Sequence, residues 1–144
     1  MRRLLIIVMV GAISLISLTV VHPSSALAAG CWASGCRGYD PEYMGCADSS
    51  TQNLDSVTAP GGTPTVTLRY SGSCDAAWAR GDHYWANIEI QESTDQVHIL
   101  AAYGISVSDS YDDVDWSYMV SFGDWTRACV QAYASDQWAC TGWH

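Results

Sequence analysis

All six cysteines of this chain, Cys31, Cys36, Cys46, Cys74, Cys129 and Cys140, lie downstream of one N-terminal hydrophobic run. An even set of thiols behind an export sequence reads as a disulfide framework made in an oxidising compartment, not as a metal or redox site. The fold is therefore expected to be small and crosslinked. In such a domain one long-range bridge is a large share of the stability margin.

The leader has the parts of a secretory signal. Arg2 and Arg3 supply the positive start, and Leu4 to Val21 is apolar or small apart from Ser14, Ser17 and Thr19. Ala26-Leu27-Ala28 follows a polar stretch and provides the small residues that a signal peptidase requires, so cleavage is expected after Ala28. Two alternatives are an uncleaved membrane anchor and a lipoprotein modified at Cys31. No stop-transfer flank follows the run, which argues against the anchor. Polar residues separate the run from Cys31, and lipidation there would leave five thiols, one of them unpaired.

Removal of residues 1–28 leaves 29–144 as one extracellular domain, too short for two cores. That portion holds Arg37, Arg69, Arg80 and Arg127 against fifteen acidic residues, a formal charge of −11, and the chain has no lysine. Such a field repels polyphosphates and anionic lipid surfaces. Neither nucleic acid nor, after signal cleavage, a membrane is an expected partner.

The mature chain reads as short strands between turns. Residues 31–63 are irregular, with one helical turn expected around Ser49 to Leu54. Ala59-Pro60-Gly61-Gly62-Thr63-Pro64 is turn chemistry. Val66, Leu68 and Tyr70 alternate with Thr65, Thr67 and Arg69 as in a half-buried strand, and Ala76 to Arg80 is its return. Tyr84 to Gln91 alternates again. Val97 to Val107, Val114 to Phe122, Arg127 to Tyr133 and Gln137 to Trp143 each offer a further strand. No long stripe of helical period is present. The pattern predicts a mostly β fold, a small antiparallel β-sandwich or barrel with an irregular disulfide-bridged N-terminal segment.

Six cysteines allow about 15 pairings, so connectivity is open at this point. Cys129 and Cys140 flank a hairpin around Ser135-Asp136. Cys46 with Cys74 would tie the irregular segment to the first hairpin, and Cys31 with Cys36 would close a local loop.

These residues also carry a resemblance. Cys36-Arg37-Gly38-Tyr39-Asp40-Pro41, Gly45-Cys46-Ala47-Asp48 and Val66-Thr67-Leu68-Arg69-Tyr70-Ser71 resemble signatures of the secreted bacterial domain-of-unknown-function 2690 family, found mainly in high-GC Gram-positive bacteria. So do Cys74-Asp75-Ala76-Ala77-Trp78-Ala79-Arg80, Arg127-Ala128-Cys129 and Ala139-Cys140-Thr141-Gly142-Trp143. The resemblance implies an extracellular, cysteine-bridged module and transfers no catalytic residue. It is weakest over Asp82 to Asp115.

The chemistry-bearing motifs are few. The chain has no nucleophile elbow, no zincin helix and no phosphate-cradling loop. Paired cysteines offer no thiolate nucleophile. His83, His98 and His144 are scattered and read as surface groups. Glu89 and Glu92, three apart on a strand, point to opposite faces and read as solvated acids beside a turn. Asp109, Asp112, Asp113 and Asp115 form a weak calcium candidate that lacks the glycine and distal glutamate of an EF-hand loop. No catalytic activity and no cofactor are expected.

The aromatic content points to binding instead. Seven tryptophans and eight tyrosines accompany one phenylalanine, and Trp and Tyr combine a flat apolar face with a polar edge. Tyr84, Trp85, Trp116 and Tyr118 are the candidate binding residues, while Trp78, set among alanines, is expected in the core. The expected function is a secreted binding module with an aromatic surface for cell-wall or environmental glycan. The alternative is a protein-binding module, an inhibitor or cell-surface adaptor, that presents the bridged loop at 31–46. Coplanar exposed tryptophans would favour the glycan; buried tryptophans and a protruding N-terminal loop would favour the protein partner.

Overall fold

The computed structural model describes residues 29–82, 86–107, 115–133 and 135–144. The signal sequence read over residues 1–28 lies outside them. The described strands are β1 (Thr51–Thr58), β2 (Thr65–Ser71), β3 (Ala76–Gly81), β4 (Ala86–Ser93), β5 (Ile99–Val107), β6 (Val120–Ser121), β7 (Trp125–Ala132) and β8 (Trp138–Cys140). They form two four-stranded antiparallel sheets, ordered β1-β2-β3-β6 and β5-β4-β7-β8.

Period-two alternation sets the inner faces. Val66 and Leu68 of β2, with Ala77 and Ala79 of β3, pack in one core with Ile88 and Ile90 of β4 and Ala128 and Val130 of β7. All eight are fully buried. The protein is a β-sandwich, with strands buried on one face and wet on the other as antiparallel sheets permit.

β3 departs from that pattern. Ala77 and Ala79 face the sandwich, while Ala76 and Trp78 point the other way into a second cluster with Cys36, Cys46, Cys74 and Met119. The N-terminal segment thus roofs the outer face of β3. Ala76 to Ala79 is buried on both sides, which is why this run shows no alternation between apolar and polar residues.

Two sequence expectations need correction. Where a helical turn is expected around Ser49 to Leu54, Ser49 and Ser50 form a turn and strand β1 starts at Thr51. A register shift between Asn53 and Asp55 brings Leu54 and Val57, three residues apart, against the same core. A bulge thus produces a spacing that imitates a helix. The strand expected over Val114 to Phe122 is reduced to β6, preceded by one isolated bridge between Trp116 and Arg80. There the Ser117 Oγ accepts the Ala79 N–H at 3.0 Å, and the Ser117 N–H donates to the Ala79 carbonyl at 2.9 Å. One serine meets both backbone needs of the edge of β3 without a ladder.

Three disulfides close the structure: Cys31–Cys36, Cys46–Cys74 and Cys129–Cys140. None of the six cysteines is free. Cys129 and Cys140 are direct register partners of β7 and β8, and Cys46–Cys74 joins the N-terminal segment to the β2–β3 turn. Crosslinks of this kind persist in oxidising surroundings. Among the described residues, no helix is long and apolar enough to cross a membrane.

Candidate aromatic binding surface

The segment between Cys31 and Cys46 has almost no regular structure, a single 3-10 turn at Ala33–Cys36 aside. Its shape comes from side-chain and backbone anchors. The Gly38 N–H donates to the Met119 carbonyl at 3.0 Å, and the Met119 N–H donates to the Tyr39 carbonyl at 2.9 Å. Asp40 Oδ1 accepts the Tyr43 N–H at 2.8 Å, while Asp40 Oδ2 accepts the Trp116 indole N–H at 3.0 Å. One carboxylate therefore shapes the turn after Asp40 and ties it to the segment before β6.

The strongest anchor is ionic. Arg37 Nε donates to Glu92 Oε2 at 2.7 Å, and its Nη2 bonds Glu92 Oε1, a two-point fork. Asp124 lies 3.5 Å from the same Nη2. The Glu92 side chain is 0% exposed and that of Arg37 is 30% exposed. The hydrogen bond that Arg37 donates to Glu92 outweighs partial burial and holds the Arg37 guanidinium above its ordinary pKa. The expectation that Glu92 is a solvated acid beside a turn is therefore wrong. It lies inside the protein, next to the last residue of β4, because an arginine 55 residues earlier supplies its counter-charge.

Gly38 is needed twice over. Its φ is +76°, and a Cβ there would sit 3.3 Å from the Tyr103 hydroxyl. Gly38→Ala is expected to lower stability by about 1–2 kcal/mol, measured by urea unfolding, from the left-handed backbone and the contact together. An unchanged midpoint would mean that Tyr103 and the backbone adapt freely.

Held in this way, the segment exposes aromatic rings. Trp32 is 62% exposed, Tyr39 51%, Tyr43 86% and, on the adjoining segment, Tyr118 50%. The Tyr118 ring meets Tyr103 of β5 edge-on, with centroids 6.4 Å apart and planes at 79°. Glu42 is exposed between Tyr39 and Tyr43, so the surface is acidic as well as aromatic.

Of the candidate binding residues, Trp116 and Tyr118 come to this neighbourhood, and Tyr84 and Trp85 lie outside the described residues. Trp116 is half-buried, packs on the cysteine cluster and has its N–H engaged by Asp40. Tyr118 is the exposed member. Trp78, expected in the core, is 1% exposed. Of the calcium candidates, Asp109, Asp112 and Asp113 lie outside the described residues. Asp115 accepts the Gly81 N–H at its carbonyl, 2.8 Å away.

Neither Tyr39 nor Tyr43 is among the candidate binding residues expected from the sequence, although both lie inside the bridged loop at 31–46. A second feature carries no local signal in the sequence. Thr94, Phe122, Gly123, Asp124, Trp125 and His144 line a groove of about 410 Å³. Trp125 there is 43% exposed. His144 reaches it because its backbone exchanges two hydrogen bonds with Thr126, each 2.9 Å. The other described histidine, His98, is an exposed partner of Asp95 at 2.7 Å. His83 lies outside the described residues.

Residues 34–132 match a family described as "Protein of unknown function (DUF2690)". No curated protein and no solved structure matches the chain. The matched span runs from the 3-10 turn to the end of β7 and includes Arg37, Asp40, Glu92 and Trp116. It leaves Cys31 and Cys140 outside.

Proposed function

We propose that this chain, which belongs to the DUF2690 family, is an extracellular, non-enzymatic binding module that presents the disulfide-held loop at 31–46 to a protein partner. The observation that carries this reading is the exposure of Tyr39, Tyr43 and Tyr118 on a backbone pinned at several points. Aromatic side chains on a preorganised backbone lose little entropy on docking and are the usual energetic centres of protein interfaces. Flat stacking on a sugar ring is less well served here. Trp116 is half-buried with its N–H engaged, and the Tyr103–Tyr118 pair is edge-on.

Glu42 and Asp40 beside the tyrosines, and the acidic chain as a whole, suit a partner surface that carries arginine or lysine. Such side chains pair with carboxylates and lie over tyrosine faces. Secretion follows in this reading from the leader and from the disulfides, which need an oxidising compartment.

A glycan partner remains the second reading because of the groove beside Trp125. An exposed indole next to Asp124, Thr94 and His144 combines a stacking face with hydroxyl-bonding groups. One experiment separates the two. Immobilised oxidised protein is exposed to extracellular proteins, peptidoglycan and insoluble polysaccharides, beside a Tyr39→Ala/Tyr43→Ala/Tyr118→Ala variant and a Trp125→Ala variant. The triple variant is expected to lose the protein partner by roughly 30-fold or more, the effect of about 2 kcal/mol. Undiminished capture by the triple variant would overturn the reading. Polysaccharide retention lost only in the Trp125 variant would install the second.

A further inference from the structure

The two N-terminal disulfides touch. The Sγ atoms of Cys31, Cys36, Cys46 and Cys74 all lie within 4.8 Å of one another. Cys31 and Cys46, which belong to different bonds, have their sulfurs 3.7 Å apart. Four thiolates around zinc at about 2.3 Å in tetrahedral directions sit about 3.8 Å from one another. The Cys31–Cys46 spacing is already that of a tetrathiolate site, and the other pairs lie within 4.8 Å. Opening each bond and drawing the wider pairs to about 3.8 Å would complete it.

The surroundings suit such an ion. Cys36, Cys46 and Cys74 are fully buried, and Ala76, Trp78, Met119 and the half-buried Trp116 pack round them. Cys31 is partly exposed and leaves one open approach. The Ser73 hydroxyl donates toward the Cys74 sulfur at 3.9 Å, the kind of outer contact that steadies a thiolate ligand. A set made only of sulfur selects zinc over calcium or magnesium. Cys31 and Cys36 bracket the 3-10 turn, Cys46 closes the aromatic loop, and Cys74 lies between β2 and β3. An ion at their centre would join the same segments as the disulfides.

The geometry points to a second, redox-interchangeable clasp: under reducing conditions these four cysteines bind one Zn²⁺ in place of two disulfides. Two molecules of a dithiol reductant each deliver two electrons and two protons to one disulfide and leave as cyclic disulfides. The four thiols formed then bind Zn²⁺ as thiolates and release four protons. Oxidation by a disulfide reverses the sequence and expels the ion.

The test uses full-length mature protein reduced without air by a phosphine, which competes for zinc less than a dithiol does. Zn²⁺ is added, the excess is removed, and the retained metal is measured by elemental mass spectrometry. Co²⁺ substitution reports tetrahedral thiolate ligation by its visible bands. About one metal per chain is expected for wild type and for Cys129→Ser/Cys140→Ser, and below roughly a tenth of that for Cys46→Ser/Cys74→Ser. Should the reduced chain lose its near-ultraviolet circular dichroism, added zinc is expected to restore it in the first two proteins alone. Metal retained equally by the Cys46→Ser/Cys74→Ser variant, or no near-stoichiometric retention by reduced wild type, overturns the proposal, as does a failure of zinc to restore lost structure.

Discussion

Replacement of Arg37 by methionine is expected to cost about 3–5 kcal/mol of folding stability, read as a lowered urea midpoint at unchanged slope. The size follows from asymmetric burial. Glu92 is completely buried and Arg37 keeps 30% of its side chain in solvent. Loss of the guanidinium strands a carboxylate in the protein, whereas Glu92→Gln leaves a cation that still reaches water and is expected to cost less. Asp124, 3.5 Å from the guanidinium, is itself acidic and offers Glu92 no replacement cation. The double change Arg37→Met/Glu92→Met is expected to recover most of the loss, because an apolar pair of similar volume removes the stranded charge. A single-variant cost below about 1 kcal/mol would mean that Glu92 finds water or another donor and that the pair is not an internal anchor.

Removal of the Cys46–Cys74 bridge by a double change to alanine is expected to cost about 3–4 kcal/mol. The bridge spans 28 residues, and closure of a loop of that length in the unfolded chain accounts for the figure in the chain-entropy model. The effect is also expected to be local. This bridge joins the loop after Cys36 to the β2–β3 turn, so Tyr39 and Tyr43 should lose their fixed positions before the sandwich itself melts. Thermal unfolding in parallel with protease nicking tests both parts. Cleavage within 37–45 in the double variant, at temperatures where the sheets remain folded, is the expected pattern. A variant as stable and as resistant as wild type would show that the hydrogen bonds at Gly38, Tyr39 and Asp40 suffice alone.

The parts of this fold that were legible are those in which one face of a strand meets one core. Val66 and Leu68 of β2 and Ile88 and Ile90 of β4 follow from spacing alone, whereas Tyr70 is only half-buried and Ser71, Glu92 and Ser93 are buried. β1 was hidden by its bulge, which places Leu54 and Val57 three residues apart. Val114 to Phe122 offers a strand in the sequence, yet Trp116 and Met119 serve the cysteine cluster while Val120 serves the sandwich. Composition cannot separate two cores that share a neighbourhood.

The candidate site was legible only in outline. The bridged loop at 31–46 invites the expectation of a rigid presenting element, and the aromatic run at Trp116 and Tyr118 is expected from its composition to bind; the fold brings both segments together. The role of Glu92 was invisible because its partner is 55 residues away in sequence. Asp40 was equally obscure. No local pattern tells a turn-forming aspartate that it also holds an indole 76 residues away.

The claim on which the functional reading rests is that the pinned loop itself touches the partner. Amide hydrogen exchange of the oxidised protein, with and without the protein captured on it, tests this most directly. The expected result is slowed exchange confined to residues 38–45 and 116–119, with the sandwich strands unchanged. Protection centred instead on the groove at 122–125 and 144, or along the β5 edge at 99–107, with the loop unaffected, would contradict it.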